Sequence, residues 1–265
     1  MRIGIIGAMI EEIEGIHKWR DMQWQRSVTI GQRQYHVGAK EGHEVVLVFS
    51  RWGKVASAST ATTLIDHFKV DAIIFTGVAG AVSSDLNVGD VVVANETMQH
   101  DMNTPGLFGR FVIPLTDQSY FSTHTVLKAT ADTAVEAALE TINSSTALLR
   151  AKLQQFKISA LPKMVSGTIA TGDQFISDVN TGSELVRAVN LLPTLDLKCV
   201  DMESGAVGQV CYEHSIPYIV VRVISDKADH SAQVDFLQFV KEFAAPFDQI
   251  IIQHFLEALP TTLSS

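Results

Sequence analysis

The chain has 265 residues, a mass of 28.9 kDa and 46% hydrophobic residues, enough to bury one sizeable core. Its formal net charge is -9 at pH 7, and no cluster of Lys or Arg is longer than a pair, which argues against nucleic acid and anionic membranes as partners. We expect a single domain over residues 1–265.

Neither a targeting segment nor a membrane span is predicted. The apolar stretch 3–8 is too short for the core of a signal peptide and runs directly into Glu11 and Glu12. No stretch is long enough to cross a bilayer. Both cysteines, Cys199 and Cys211, lie in apolar runs, which favours a reducing compartment over a disulfide framework. We therefore expect a cytoplasmic protein.

Five short runs rich in β-branched residues are predicted to be strands. Several show no alternation of polar and apolar residues, which is typical of strands that are covered on both faces of a sheet. In chain order the runs are 2–7, 44–49, 72–76, 90–94 and 218–224. They indicate the interior strands of a largely parallel or mixed sheet.

Helical patterns separate these strands. They cover residues 9–17, 55–68, 126–141, 204–214 and 237–259, with a local kink expected at Pro246. The stretch 142–146 predicts a break between two helices rather than a domain boundary. The alternation of strands and helices predicts an α/β fold, a three-layer α/β/α sandwich with a central mixed sheet.

Ligands of such folds bind beyond the carboxyl ends of the strands, so the residues that follow each apolar run are candidates for a site. The first candidate segment is 4–12, where a strand passes through small residues into a helix with Glu11 and Glu12 in its first turn. The spacing is not GxGxxG, so a dinucleotide site is only weakly supported. Either carboxylate would serve as a base for water or simply complement the helix dipole.

Two further segments combine a strand end with small or acidic residues. Segment 75–81 ends in small residues that permit close approach of the backbone to a ligand, although a tight turn would explain them equally well. Segment 200–206 leads into a helix with Glu203 near its start. That carboxylate either grips a pair of vicinal hydroxyls or caps the helix.

The fourth segment, 220–226, carries a charge inside an apolar strand. Arg222 is expected to have a partner, because an unpaired buried charge is too costly. Asp226, after Ser225, is placed to meet a ligand, and a carboxyl in a partly apolar pocket is expected to have a raised pKa and to donate a proton. The alternative is a structural Arg222 with an acidic partner elsewhere.

Several common catalytic motifs are missing from the sequence. His100 and Asp101 lack a third ligand at metal spacing, and the nine histidines form no HExxH motif, so no metal site is expected. The absence of GxSxG and GxxxxGK[ST] argues against the usual serine hydrolases and P-loop enzymes.

Five short motifs, in this order, resemble those of the 5'-methylthioadenosine/S-adenosylhomocysteine nucleosidases of the nucleoside phosphorylase superfamily. They are GIIGAMIEE, TGVAG, GDQF, MESGAV and VRVISD, and the resemblance covers almost the whole chain. It implies an α/β/α sandwich, a homodimer, no metal and no organic cofactor. It also implies hydrolysis of the N-glycosidic bond of an adenine nucleoside with a 5'-thioether. The TGVAG and GDQF variants are similar to members that also accept aminodeoxyfutalosine.

The resemblance also implies roles for individual residues. Glu12 resembles the acid that activates the attacking water, and Asp226 the acid that protonates purine N7, positioned and tuned by Ser225 and Arg222. The residues expected to bind the nucleoside are Glu203 and Met202 at the ribose, Phe175 and the Ile176 backbone at adenine, Met9, Val78 and Phe236 elsewhere in the pocket, and Leu107 and Phe108 from the other subunit.

Three positions depart from the family pattern. Val78 stands where many members carry Ser, Trp52 where a smaller aliphatic residue is usual, and Asp201 where Glu is usual. These changes concern the pocket and leave the predicted catalytic pair in place.

Two other functions fit the same fold. A phosphorolytic purine nucleoside phosphorylase would need a cationic phosphate cradle near the first loop, where Glu11 and Glu12 would repel phosphate. A non-catalytic nucleoside-binding protein would have no need for the full set of Glu12, Glu203 and Asp226. Both rank below the hydrolase.

Overall fold

The computed structural model describes residues 1–144, 146–156, 158, 160–192, 194–227 and 236–263. Its strands are β1 (Arg2–Gly7), β2 (Gln23–Ile30), β3 (Arg33–Lys40), β4 (His43–Phe49), β5 (Ala72–Thr76), β6 (Val78–Ala81), β7 (Val91–Gln99), β8 (Phe121–Ser122), β9 (Met164–Thr171), β10 (Leu197–Asp201) and β11 (Tyr218–Asp226). Its helices are α1 (Ile10–His17), α2 (Lys54–Asp66), α3 (Thr125–Ser144), α4 (Thr146–Gln155), α5 (Val179–Val189), α6 (Ser204–His214), α7 (Phe236–Phe239) and α8 (Ala245–Ala258). A π-helical turn, Val240–Ala244, joins α7 to α8.

One mixed sheet runs through the molecule in the order β2-β3-β4-β1-β5-β11-β6-β10-β9-β7-β8. The strand β11 has more than two neighbours: its first residues pair with β5, and its later residues pair with β6 on one side and β7 on the other. The strands β11, β6, β10, β9 and β7 are neighbours in this order, and β7 also pairs with β11. These five strands therefore close into a small barrel. The predicted α/β fold with a central mixed sheet is confirmed, and the closure was not predicted.

Helices cover the sheet on both faces, and each face has its own apolar core. Successive residues of β4 divide between the two cores: Val45 and Leu47 face α1, α3 and α8, whereas Val46 and Val48 face α2 and α6. All four side chains are fully buried. This two-sided burial is why the interior strands lack polar alternation.

Most predicted elements are present, with shifted ends. The predicted strands 2–7 and 72–76 and the predicted helix 204–214 agree at both ends. Two predicted strands were too short, since β7 continues to Gln99 and β11 continues to Asp226. The longer β11 brings Asp226 to the carboxyl end of the strand itself.

The hairpin β2–β3 and the elements β6, β8, β9, α4 and α5 were not predicted. In β2 most side chains are exposed, because it is the edge strand of the sheet, so its composition is that of a polar loop. The predicted break at 142–146 is confirmed, because α3 ends at Ser144 and α4 begins at Thr146.

The last predicted helix, 237–259, is interrupted where a kink was expected. Pro246 lacks an N–H and cannot close a hydrogen bond to the preceding turn, and the widened π-helical turn lies just before it. No helix within the described ranges is both long and apolar enough to cross a bilayer.

Candidate active site

A pocket lies beyond the carboxyl ends of β1, β10 and β11, with a volume of about 650 Å³ including the part open to solvent. Every predicted site residue except Leu107 and Phe108 lines it. These residues are Met9, Glu12, Val78, Phe175, Ile176, Met202, Glu203, Arg222, Ser225, Asp226 and Phe236. The pocket therefore gathers side chains from segments that are more than two hundred residues apart in sequence.

The pocket also has walls that were not predicted as substrate contacts. They are Ala8, Trp52, Gly80, Gln174, Val200 and Asp201. Leu107 and Phe108 lie outside it, and Leu107 is 79% exposed. Their predicted role requires a second subunit and stays a prediction.

Glu12 lies in the first turn of α1 and is buried. Its Oε2 accepts a hydrogen bond from the Met9 N–H at 2.9 Å. Burial raises the pKa of Glu12 to about 7, against the opposing influence of Arg222 and of the N–H groups of Met9, Ala8 and Val78. A carboxyl that exchanges its proton near neutral pH is suited to act as a general base.

Gly77 makes room for this carboxylate. The residue has φ of +149°, and a Cβ atom at this position would lie 2.7 Å from Glu12 Oε1. Such a contact is far shorter than van der Waals distance, so any larger residue would displace Glu12. The close backbone approach that the TGVAG segment permits is thus made to the Glu12 carboxylate.

The buried Arg222 has an acidic partner. Its Nη2 lies 2.9 Å from Asp201 Oδ2, and its Nε donates to the same oxygen at 3.0 Å. The guanidinium also donates to Ser204 Oγ at 2.9 Å and stacks over the Phe75 ring at 4.0 Å. The expected partner of Arg222 is therefore Asp201, at the end of β10. The predicted influence of Arg222 on Asp226 stays a prediction.

Glu203 follows β10 and is buried beside this ion pair. Its Oε1 accepts a hydrogen bond from the Gly53 N–H at 2.8 Å. Burial and the negative charge of Asp201 raise the pKa of Glu203 well above its ordinary value, although Arg222 and the Gly53 N–H oppose the shift. A carboxyl that holds its proton can both donate to and accept from hydroxyl groups.

Asp226 ends β11 beside Ser225, whose Oγ donates to Asp226 Oδ2 at 2.8 Å. The register between β11 and β6 shifts after Ile224, so that Ser225 is an extra residue opposite β6. A bulge of this kind turns two successive side chains toward the same side of a sheet. It accounts for the presence of both Ser225 and Asp226 in the pocket wall.

Aromatic side chains surround the mouth of the pocket. Phe175 is 49% exposed and packs edge-to-face against Phe236, with ring centroids 6.3 Å apart. Trp52 is also exposed at the pocket. Exposed ring faces of this kind can stack on a planar heterocyclic base.

One buried carboxyl close to the site was not predicted. Asp248 of α8 is fully buried. Burial raises the pKa of Asp248 well above its ordinary value and the charge of Glu12 raises it further, whereas Thr76 and Arg222 lower it. Its spacing to the buried Ile251, Ile252 and Phe255 placed it on the apolar face of the helix, a signal that was available in the sequence.

No group of three His, Cys, Asp or Glu side chains in the described part of the chain is arranged to hold a metal ion. The polar groups of the pocket include carboxyls, one guanidinium already bound to Asp201, the Ser225 hydroxyl and the Gln174 amide. These groups suit the hydroxyls and ring nitrogens of a nucleoside.

Comparison with known proteins identifies the class to which this fold and pocket belong. The family model of the phosphorylase superfamily matches residues 2–257, so the chain is a member of that superfamily. It is 33% identical over 256 residues to the 5'-methylthioadenosine/S-adenosylhomocysteine nucleosidase of Bacillus licheniformis, covering 96% of this chain and 97% of the relative. Within the superfamily, the chain belongs to the 5'-methylthioadenosine/S-adenosylhomocysteine nucleosidase family, as its motifs predicted.

Solved structures agree with this assignment. The S-adenosylhomocysteine nucleosidase of Streptococcus pyogenes, in complex with 5-methylthiotubericidin, superimposes with a TM-score of 0.81 at 31% identity, covering 98% of both chains. A futalosine hydrolase mutant of Helicobacter pylori superimposes with a TM-score of 0.79 at 27% identity, covering 98% of this chain and 100% of that chain.

Proposed function

We propose that this chain hydrolyses the N-glycosidic bond of 5'-methylthioadenosine and S-adenosylhomocysteine, releasing adenine and the 5'-substituted ribose. The observation that carries the proposal is the convergence of Glu12, Glu203 and Asp226 on one pocket with an aromatic mouth. The similar proteins from Bacillus licheniformis and Streptococcus pyogenes are nucleosidases of one or both of these substrates, which supports the same activity for this chain.

In this mechanism two carboxyls act in opposite protonation states. Glu12 takes a proton from a water molecule, whose oxygen forms the new bond to C1' of the ribose. Asp226 gives a proton to purine N7 while the bond between C1' and N9 breaks, and the bonding electrons leave with the purine. Positive charge that develops on the ribose is met by the water molecule that Glu12 holds and deprotonates.

The remaining pocket residues bind the nucleoside. Glu203 holds the ribose 2'- and 3'-hydroxyls, and Met202 packs against the sugar. Phe175 stacks on adenine, whose edge is bound by the Ile176 backbone. Arg222 holds Asp201 in place at the pocket wall.

The 5'-substituent occupies the part of the pocket near Phe236. In a homodimer, Leu107 and Phe108 of the other subunit would close this side. The likeness to the Helicobacter pylori futalosine hydrolase supports aminodeoxyfutalosine as a further substrate to be tested.

Because Cys199 and Cys211 are both free and buried, we place the enzyme in the cytoplasm.

Phosphorolysis is not favoured by the site. The buried cation of the pocket, Arg222, is already paired with Asp201, and the Glu12 carboxylate lies where a phosphate would have to approach. A mere binding protein would require neither a base nor a proton donor in the pocket.

The experiment measures adenine release from 5'-methylthioadenosine, S-adenosylhomocysteine and aminodeoxyfutalosine in separate phosphate-free reactions. Wild type should release adenine, and Asp226→Asn and Glu12→Gln should each be slower by about 10²–10⁴-fold, because each removes one proton transfer. Asp132→Asn, which lies on α3, serves as the control and should be unaffected. Adenine that appears only after phosphate is added would indicate a phosphorylase, and no release under either condition would indicate a binding protein.

A further inference from the structure

Three residues beside the pocket form a closed ring of hydrogen bonds. The Lys54 N–H donates to Asp173 Oδ1 at 2.9 Å, and the Asp173 N–H donates to Asp101 Oδ2 at 3.1 Å. The ring closes through the Lys54 ammonium, whose Nζ lies 2.7 Å from Asp101 Oδ1. Each residue thus contacts the other two.

The ring connects three segments that are distant in sequence. Lys54 is the first residue of α2, Asp101 follows β7, and Asp173 follows β9. The Lys54 and Asp101 side chains are 18% and 27% exposed, so their ion pair is partly shielded from water. Burial opposes ionisation of Asp101, but the Lys54 ammonium and the Asp173 N–H outweigh it and lower the pKa of Asp101 below its ordinary value. Asp101 is therefore ionised at neutral pH.

Glu203, which is proposed to bind the sugar, and the segment that carries Phe175, which is proposed to bind the base, are both held next to this ring. The Gly53 N–H donates to Glu203, while the next N–H, that of Lys54, donates to Asp173. Two successive N–H groups at the start of α2 therefore hold two acidic side chains from different parts of the chain. Gly53 has φ of +93°, and a Cβ atom there would lie 3.1 Å from Asp173 Oδ1, so the approach requires a glycine.

Asp173 leads directly into the pocket wall. The three residues that follow it, Gln174, Phe175 and Ile176, all line the pocket. Phe175 is half exposed, so packing alone holds it weakly, and its place depends on how the preceding residues are anchored. Asp173 supplies that anchor through two hydrogen bonds.

We propose that Lys54, Asp101 and Asp173 are positioning residues that hold the loop carrying Phe175 at a set distance from Glu203, so that the base and the sugar of one nucleoside are bound together. The three residues act through Phe175 and Glu203 and do not contact the reacting atoms. The identity of the nucleoside rests on the function proposed above, whereas the positioning of Phe175 relative to Glu203 does not.

The test compares Lys54→Met with Lys128→Met. The first removes the ammonium of the ring and keeps the stem, and the second removes a comparable ion pair, also 2.7 Å long, between Lys128 and Asp132 on α3, where the side chains are 23% and 31% exposed. Adenine binding is measured by titration calorimetry, and kcat and KM with 5'-methylthioadenosine. Lys54→Met removes the hydrogen bonds of the ammonium to Asp101 and Gln99. It should weaken adenine binding and raise KM by about tenfold, with kcat within about threefold of wild type. Lys128→Met should match wild type in all three.

A conservative pair at Asp173 separates positioning from general destabilisation. Asp173→Asn keeps the oxygen that accepts from the Lys54 N–H and should bind adenine within about threefold of wild type, whereas Asp173→Ala should lose about tenfold. Adenine binding by Lys54→Met and Asp173→Ala that equals the binding by Lys128→Met would overturn the inference. Wild type that binds adenine without hydrolysing any nucleoside would defeat the proposed function alone, and wild type that does not bind adenine would overturn both.

Discussion

Glu12 is the residue whose protonation should be most visible in the kinetics. Its pKa is raised to about 7 by burial, and a general base acts only when it is ionised. Below that pKa the ionised fraction falls, so kcat/KM for 5'-methylthioadenosine should drop by about tenfold for each pH unit on the acid side. The measurement is kcat/KM from about pH 5 to pH 9 for wild type and Glu14→Gln, an exposed control on the same helix. A value that stays constant down to about pH 5 would contradict this assignment.

Asp201 both pairs with the buried Arg222 and binds the start of α6. The sequence required a partner for a charge inside a buried strand, and Asp201 supplies it through two short contacts. Asp201 also accepts hydrogen bonds from the N–H groups of Glu203 and Ser204, each at 3.2 Å, and so connects the end of β10 to the start of α6. The ion pair between Arg222 and Asp201 therefore helps to fix the start of α6, and with it the position of Glu203.

At the scale of elements, α8 carries a carboxyl into the core. Asp248 is fully buried and its pKa is well above 3.8, so the folded chain binds a proton there that the unfolded chain releases above about pH 4. From that pH up to the raised pKa, this group makes wild type less stable as the pH rises, by about 1.4 kcal/mol for each pH unit. Its neutral replacement, Asp248→Asn, lacks this contribution.

The stability of Asp248→Asn relative to wild type should therefore increase as the pH rises from about 4, by about 1.4 kcal/mol per unit. The measurement is urea unfolding at a series of pH values. The control is Glu257→Gln on the same helix, because Gln253 and His254 lower the pKa of Glu257 and the relative stability should not rise. Parallel stability curves for wild type and Asp248→Asn would show that Asp248 is ionised in the folded chain.

At the scale of the whole molecule, the predicted role of Leu107 depends on assembly. Leu107 is 79% exposed and lies outside the pocket, so a homodimer is needed for it to contact substrate. Sedimentation equilibrium of wild type should give twice 28.9 kDa. Leu107→Asp should shift the protein toward monomer and raise KM by about tenfold, since a buried charge opposes association.

Leu191→Asp is the matched control, because Leu191 is 80% exposed and lies beyond the end of α5. Its mass and KM should equal those of wild type. A monomeric wild type with full activity would remove Leu107 and Phe108 from the site.

The sequence by itself determined the α/β class, the family and eleven of the residues that line the pocket. It did so because these features are carried by contiguous runs: two-sided burial removes polar alternation from a strand, and the motifs stand directly at strand ends. Only the tertiary structure decided that Asp201 is the partner of Arg222, that Asp248 is buried near Glu12, and that β7 closes a barrel onto β11. It also decided that Lys54, Asp101 and Asp173 meet. Each of these is a contact between segments far apart in the chain, and such contacts depend on how the strands pair and the helices pack, which no local pattern specifies.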